Sequence, residues 1–160
     1  MLKYQKQSLF DAPPFALLVH ATNCQGLYDS GIALQFKERY PISFKHYVAH
    51  CKATPNLVGS FYRCHRENEH SVVNLFTSAF DSKNPDSEEE ILVNTTLALD
   101  KFLDKYWGAL IYSNKFNSGR FGVEWSKTEA ILKILTRRYN VNWVICDPDM
   151  PEEFEGMEVI

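Results

Sequence analysis

The chain has 160 residues, of which 45% are hydrophobic and 23% are charged, a balance typical of one globular domain with a sizeable core. The formal net charge of -3 argues against strong nucleic-acid binding, and no stretch approaches the roughly 20 apolar residues that a membrane helix needs. The N-terminus lacks the apolar run of a signal peptide, and the four cysteines form no CxxC pair. We therefore expect a reduced, cytoplasmic, monomeric protein without a cofactor.

In the first half of the chain, strand and helix patterns alternate. The continuous apolar run Ala16–Asn23 is typical of a buried central strand, and Pro41 separates two predicted helices. Two later strands are expected to pair in antiparallel fashion across a polar turn. The other predicted elements of this half are the strand Leu2–Phe10, the helices Gly31–Tyr40 and Ile42–Ala53, and the strands Leu57–Cys64 and Ser71–Thr77.

In the second half, Ser87 is predicted to cap a helix that ends near Trp107. The elements that follow are predicted to be the strand Ala109–Asn117, the helix Trp125–Tyr139 and the strand Asn142–Asp147. This alternation predicts an α/β protein with a mixed central sheet covered by helices on both faces. We expect a single domain over residues 1–147, followed by a loosely packed acidic C-terminal tail over residues 148–160.

Two small-residue loops follow buried strands and precede helices. In sheets of this kind, ligands bind beyond the carboxyl ends of the strands. The first loop spans Asn23–Ala33 and the second Asn117–Gly122, and neither has the G-x-x-x-x-G-K-[ST] nucleotide motif. Glycines let the backbone approach a ligand closely, and N–H groups at a helix N-terminus suit a phosphate. The pair of loops predicts a diphosphate ligand, to which Lys115 and Arg120 add positive charge; ordinary strand-to-helix turns are the alternative.

Taken together and in order, the segments LLVHATNCQG, SGIALQFKERYP, LFTS and NSGRFGVEW resemble the macro domain family. Within it they are most similar to the yeast-type ADP-ribose 1″-phosphate phosphatases and their tailed-phage relatives, from Leu2 to about Asp147. The resemblance implies a three-layer α/β/α fold with ADP-ribose in a cleft at the strand ends. The ligand-binding residues that it implies are Ser8, Leu9, Gly26, Tyr28, Ser30, Gly31, Ile32, Ala33, Asn117, Ser118, Gly119, Arg120, Phe121 and Gly122.

The family pattern also implies which part of the ligand each residue contacts. It places Ser8 and Leu9 near the adenine and Asn23 near the distal ribose. Backbone N–H groups of the first loop's helix are expected at one phosphate, and the second loop is expected to wrap the other phosphate and the distal ribose. Phe121 or Tyr28 is expected to lie against a sugar or a base.

Three residues depart from other classes of macro domain. Ser8 stands where many members have an aspartate that accepts a hydrogen bond from adenine. Ser78 and Phe121 stand where the terminal-ADP-ribose glycohydrolases have a lysine and an aspartate, so an imine-forming route is poorly supported. The first loop's helix also lacks the aspartate of the hydrolases that act on acidic side chains. Phosphate-ester hydrolysis, or binding without catalysis, is what remains.

The leading hypothesis is a phosphatase that hydrolyses ADP-ribose 1″-phosphate to ADP-ribose and phosphate. Its catalytic candidates are His20, Asn23 and Asp29. The imidazole of His20 titrates near neutral pH and suits acid–base catalysis, but a core histidine is the alternative. Asp29 is expected to orient water or to cap the next helix, and Asn23 to hold a ribose hydroxyl or the water.

Two other functions stay open at this point: removal of ADP-ribose from modified protein or DNA, and an ADP-ribose-binding module without catalysis. His46 and His50 share a helix face, but no third ligand accompanies them, so no metal site is predicted. The expected partner is a small-molecule ADP-ribose derivative, in a host cytoplasm if the gene is of phage origin.

Overall fold

The computed structural model describes residues 1–28, 31–79 and 85–160. A seven-stranded mixed sheet forms the centre of this part of the chain. The strands are β1 Leu2–Gln5, β2 Leu17–Asn23, β3 Phe61–Arg63, β4 Ser71–Ser78, β5 Leu110–Ser113, β6 Asn142–Cys146 and β7 Glu158–Val159. The helices are α1 Gly31–Arg39, α2 Pro41–Ala53, α3 Glu88–Lys105 and α4 Trp125–Arg138.

The strands lie in the order β3-β4-β2-β5-β6-β1-β7. The five central strands are parallel, whereas β3 and β7 pair in antiparallel fashion at the two edges. The predicted antiparallel pairing is confirmed, with Phe61 opposite Leu75. Because the central strands are parallel, their carboxyl ends meet at one edge of the sheet. The last residues of these strands are Ser78, Asn23, Ser113, Cys146 and Gln5.

Helices cover both faces of the sheet. On one face, α3 and α4 pack over strand residues that include Val19 and Trp143. On the other face, α1 and α2 pack over Leu18 and Phe76. Successive residues of β2 enter opposite layers because strand side chains alternate, and burial on both faces explains its continuous apolar run. The predicted three-layer α/β/α architecture is confirmed.

Several predicted strands are longer than the observed ones, and in two of them the chain leaves the sheet several residues before the predicted end. β1 ends at Gln5, and the predicted continuation instead forms a 3₁₀ turn over Leu9–Asp11. The Ser8 hydroxyl caps this turn by accepting a hydrogen bond from the Phe10 N–H at 3.2 Å. β5 likewise ends at Ser113 instead of continuing into the second loop. In both cases the residues after the observed strand leave the sheet and form a loop or turn at its edge, although the sequence predicted that they continue the strand.

The long helix α3 begins as predicted. The Ser87 hydroxyl accepts a hydrogen bond from the Glu90 N–H at 3.1 Å, and the Glu90 carboxylate accepts one from the Ser87 N–H at 3.3 Å. This reciprocal capping box satisfies two backbone donors at the helix start. Within the described ranges, no helix is both long enough and apolar enough to cross a membrane.

The acidic segment after Pro148 is more ordered than the sequence predicted. Its last strand, β7, pairs with β1. The Tyr4 N–H donates to the Met157 carbonyl at 2.9 Å, and the Gly156 N–H donates to the Tyr4 carbonyl at 2.9 Å. Met150 is buried in the main core. The C-terminal segment therefore extends the sheet and closes over the end of β1.

Candidate functional site

A groove with two lobes crosses the edge where the parallel strands end. The loop lobe, about 140 Å³, lies between the two predicted loops, and the β1–β6 lobe, about 370 Å³, lies at the ends of those two strands. Both lobes are open to solvent, and the β1–β6 lobe has the size of a small-molecule site. The residues that line both lobes, and so join them, are Ile32, Asn114, Lys115 and Gly119.

Asn23 lines the loop lobe and holds the first loop together from inside. Its Oδ1 accepts hydrogen bonds from the N–H groups of Gln25 at 2.9 Å and Leu27 at 3.3 Å. The Tyr47 hydroxyl donates to the same oxygen at 2.8 Å, and Nδ2 donates to the Leu27 carbonyl at 2.8 Å. These contacts use most of the hydrogen-bonding capacity of the Asn23 amide. Asn23 therefore mainly positions the loop and has little capacity left for a ligand.

Two other residues of the first loop face the protein interior. Gly26 has a φ of +76°, a conformation that favours glycine, and its Cα faces Val48 of α2, where an added Cβ would lie 3.7 Å from that residue. Gly26 therefore supports the loop and does not line the groove. Burial raises the pKa of the Cys24 thiol to about 12, so Cys24 is not a reactive nucleophile.

The start of α1 forms one wall of the loop lobe. Gly31 and Ile32 line the lobe, and the first N–H groups of any helix lack partners within the helix. These donors and the helix dipole favour a phosphate at this position. Ala33 belongs to the same turn, but its side chain packs against the core under α1 and α2. The predicted site residues Asp29 and Ser30 lie outside the described residues.

The second loop forms the opposite wall and is anchored by Asn117. The Asn117 side chain accepts a hydrogen bond from the Thr77 hydroxyl at 2.8 Å and donates one to the Thr95 hydroxyl oxygen at 2.9 Å. The Gly122 N–H closes the loop by donating to the Gly119 carbonyl at 3.0 Å. The loop residues that line the groove are Asn117, Ser118, Gly119, Arg120 and Phe121.

Two buried polar atoms of the groove wall have no hydrogen-bond partner among the described residues: Asn114 Oδ1 and Ser118 Oγ. An unpaired buried polar group costs about 1–3 kcal/mol, so such atoms mark places where a ligand or solvent supplies the partner. His20 Nδ1 and Thr128 Oγ1 also lack a partner within the described ranges, but neither residue lines the groove.

The charged side chains among the described lining residues are Lys115, Arg120 and Asp147. Lys115 lies where the lobes join, with its Nζ 3.7 Å from Asp147 Oδ2, and the two side chains are 39% and 28% exposed. A long, partly exposed ion pair contributes little, so Lys115 can exchange this carboxylate for an anionic ligand. No three His, Cys, Asp or Glu side chains in the described ranges are grouped to hold a metal ion.

His20 lies in the core beneath the groove and does not line it. Its Nε2 is 2.9 Å from the Tyr28 hydroxyl and 3.0 Å from Asn74 Oδ1, and its ring stacks on Phe36 at 4.0 Å between centroids. Burial lowers the pKa of His20 to about 3, which keeps the imidazole neutral at physiological pH. This geometry favours the core-histidine alternative over acid–base catalysis.

Tyr28 belongs to the same buried cluster. Its side chain is only 4% exposed, and its ring stacks on Tyr47 at a centroid distance of 4.4 Å. The expectation that Tyr28 lies against a sugar or a base is therefore corrected: its ring packs between the sheet and α2. Phe121, the other aromatic candidate, does line the loop lobe.

Asn114 and Asp147 were not among the residues predicted to bind the ligand, and Lys115 was predicted only to add positive charge. All three follow a parallel strand directly, because β5 ends at Ser113 and β6 ends at Cys146. The strand-end rule selects them once the strands are given these shorter lengths. Ser8 and Leu9 were assigned to the adenine end of the site, and they line the β1–β6 lobe.

Comparison with known proteins identifies relatives along most of the chain. The family model described as a macro domain matches residues 19–132. The ADP-ribose 1″-phosphate phosphatase of Meyerozyma guilliermondii is 33% identical, with 82% of this chain and 92% of the relative covered. The protein of the same name from Aspergillus clavatus is 32% identical, with 78% and 85% covered. The macrodomain of Mycobacterium tuberculosis DarG has a TM-score of 0.78 at 25% identity, covering 93% of this chain and 99% of that one.

Proposed function

The chain belongs to the macro domain family, and on that premise we propose that it hydrolyses ADP-ribose 1″-phosphate to ADP-ribose and inorganic phosphate. The relatives named for this activity align with most of the chain. The observation that carries the proposal is the two-lobed groove, whose wall holds the unpaired atoms Asn114 Oδ1 and Ser118 Oγ. A ligand with a nucleoside at one end and a phosphorylated sugar at the other matches the two lobes.

The chemistry of the lobes orients the ligand. The distal ribose and its 1″-phosphate occupy the loop lobe, where the N-terminus of α1 offers backbone N–H groups and the second loop forms the opposite wall. The diphosphate crosses the junction beside Lys115. The adenosine occupies the β1–β6 lobe, where apolar walls suit a base; these walls are formed by Leu9, Phe10, Ile32 and Pro148.

The proposed reaction is attack of water on the phosphorus, with the C1″ oxygen of the ribose as the leaving group. Phosphoryl transfer depends mainly on positioning and on stabilisation of the phosphoryl oxygens. Arg120 and the first turn of α1 line the lobe where that charge develops. Among the described residues, no histidine or carboxylate lines this lobe, so the step uses no strong general base from them. Asp29 stays the sequence-based candidate for orienting the water.

Phosphate release from ADP-ribose 1″-phosphate tests the proposal, with Lys115→Met as the diagnostic variant. Loss of a charged hydrogen bond to phosphate should lower kcat/KM by about tenfold or more. Lys127→Met is the matched control, since Lys127 pairs with Glu88 on the surface formed by α3 and α4. We expect this control to retain full activity.

Phosphate release, ADP-ribose binding and ADP-ribose release, measured together, separate the competing functions. Tight binding of ADP-ribose without phosphate release would indicate a binding module, and release of ADP-ribose from modified protein or DNA would indicate the other hydrolase activity. Full activity in Lys115→Met would contradict the proposed ligand position. A monomeric state and a cytoplasmic location stay predictions from the sequence.

A further inference from the structure

The second loop is held by hydrogen bonds that continue behind the groove into α3. Asn117 has a φ of +67°, and its carbonyl oxygen accepts a hydrogen bond from the Val123 N–H at 2.9 Å. Asn117 therefore both begins and closes the loop that forms one wall of the loop lobe. Its side chain ties this turn to Thr77 of β4 and to Thr95 of α3.

The donor and acceptor roles in this contact follow from the single hydrogen of a threonine hydroxyl. The Thr95 hydroxyl donates to the Ile91 carbonyl at 2.7 Å, so its oxygen is left to accept from Asn117 Nδ2 at 2.9 Å. The Thr77 hydroxyl donates to Asn117 Oδ1 at 2.8 Å. Both threonines are fully buried, so the two hydrogen bonds hold the Asn117 amide without help from solvent.

Thr95 lines neither lobe of the groove, so it does not touch the substrate. Replacing its hydroxyl by a methyl group of similar shape would leave Asn117 Nδ2 without its acceptor in the interior. A buried donor without a partner is costly, so the amide would turn and the loop that starts at Asn117 would shift with it. A displacement of about 1 Å in a group that positions a substrate lowers a rate by up to about 100-fold.

We propose that Thr95 is a positioning residue for the hydrolysis. By accepting a hydrogen bond from Asn117 Nδ2, it holds the loop Asn117–Gly122 in the conformation that presents Arg120 to the phosphoryl group. This inference rests on the proposed function and adds a residue outside the groove to those on which turnover depends. Because the adenosine and the diphosphate lie in the other lobe and beside Lys115, loss of the Thr95 hydroxyl affects the chemical step more than binding.

The test measures kcat and KM for phosphate release from ADP-ribose 1″-phosphate in Thr95→Val and Thr95→Ser. We expect Thr95→Val to lower kcat about tenfold or more while KM changes by less than about threefold. Thr95→Ser keeps the hydroxyl and should restore kcat to within about twofold of the wild type. Rescue by serine assigns the effect to the hydrogen bond.

Thr128→Val is the matched control. Thr128 is also fully buried on a helix, but its hydroxyl has no partner among the described residues, so the same substitution removes no hydrogen bond. We expect this control to keep the wild-type kcat.

Asn117→Gly shows whether Thr95 acts through Asn117. Glycine adopts a positive φ freely and has no amide, so adding Thr95→Val should lower kcat no further in this background. The comparison also decides the case if Thr95→Val alone does not fold, because the double variant contains no amide that lacks its acceptor.

An unchanged kcat in folded Thr95→Val, no rescue by Thr95→Ser, or a further loss in the Asn117→Gly background would overturn the inference. A wild type that binds ADP-ribose and releases no phosphate would instead contradict the proposed function, and this inference with it.

Discussion

Two regions of polar side chains, one beneath the groove and one in its wall, differ in how their hydrogen bonds are paired. Beneath α1 and α2, the side chains of His20, Tyr28 and Asn74 contact one another through buried hydrogen bonds. In the groove wall, Asn114 Oδ1 and Ser118 Oγ find no partner among the described residues. Since buried polar groups are normally paired, the first region stabilises the fold and the second is available to a ligand. The unpaired atoms that line the groove are the ones available to a ligand, unlike His20 Nδ1 and Thr128 Oγ1, which are unpaired among the described residues but lie away from it.

One substitution made in both regions should give opposite results. Asn74 Oδ1 accepts from the Tyr28 hydroxyl and lies 3.0 Å from His20 Nε2. We expect Asn74→Leu to lower the free energy of unfolding by about 3 kcal/mol, because buried donors lose their acceptor. Asn114→Leu should change it by less than about 1 kcal/mol while weakening ADP-ribose binding about tenfold. Denaturant unfolding and calorimetry measure the two effects, and equal losses of stability would remove the distinction.

The openness of the groove can be tested at Gly119, which lies where the lobes join. A Cβ at Gly119 would meet no atom within 4 Å, and Gly119 does not have the positive φ that favours glycine, so a side chain can be added there without a clash at Cβ. We expect Gly119→Phe to keep the stability within about 0.5 kcal/mol and to weaken ADP-ribose binding at least about 100-fold, because the ring fills the junction. Gly119→Ala should have a much smaller effect. Unchanged binding in Gly119→Phe would place the ligand elsewhere.

The contribution of the paired region to stability should depend on pH. Because burial lowers the pKa of folded His20 to about 3, the unfolded chain binds a proton near pH 6.5 that the folded chain does not. The stability from neutral His20 is present above that pH and is lost as the pH falls toward 3. From pH 7 to pH 5 we expect a loss of about 2 kcal/mol.

His20→Asn should remove this pH-dependent loss, so the difference between variant and wild type isolates His20 from the other titrating groups. The folded variant should also retain turnover. A folded His20→Asn protein that binds ADP-ribose but releases no phosphate would restore His20 as an acid–base catalyst.

The fold was predictable because its signals are local: buried apolar runs, helical spacing and the Ser87 cap. The position of His20 was partly predictable, since three residues at about 3.3 Å each place it about 10 Å before Asn23 and the sheet edge. The face of the sheet on which the His20 side chain lies was not predictable, because β2 is apolar on both faces. The direction of the Tyr28 ring was not predictable, because it depends on packing between elements that are distant in sequence. Asp147 was not recognised as a groove residue, because it was assigned to the end of the last predicted strand.

Phosphate release from ADP-ribose 1″-phosphate, measured side by side for the wild type and Gly119→Phe, tests most directly whether this groove is the site of hydrolysis. We expect turnover by the wild type and a loss of at least about 100-fold in Gly119→Phe, with the same Tm for both proteins. Turnover that survives in folded Gly119→Phe, or a wild type that binds ADP-ribose and releases no phosphate, would contradict the proposed function.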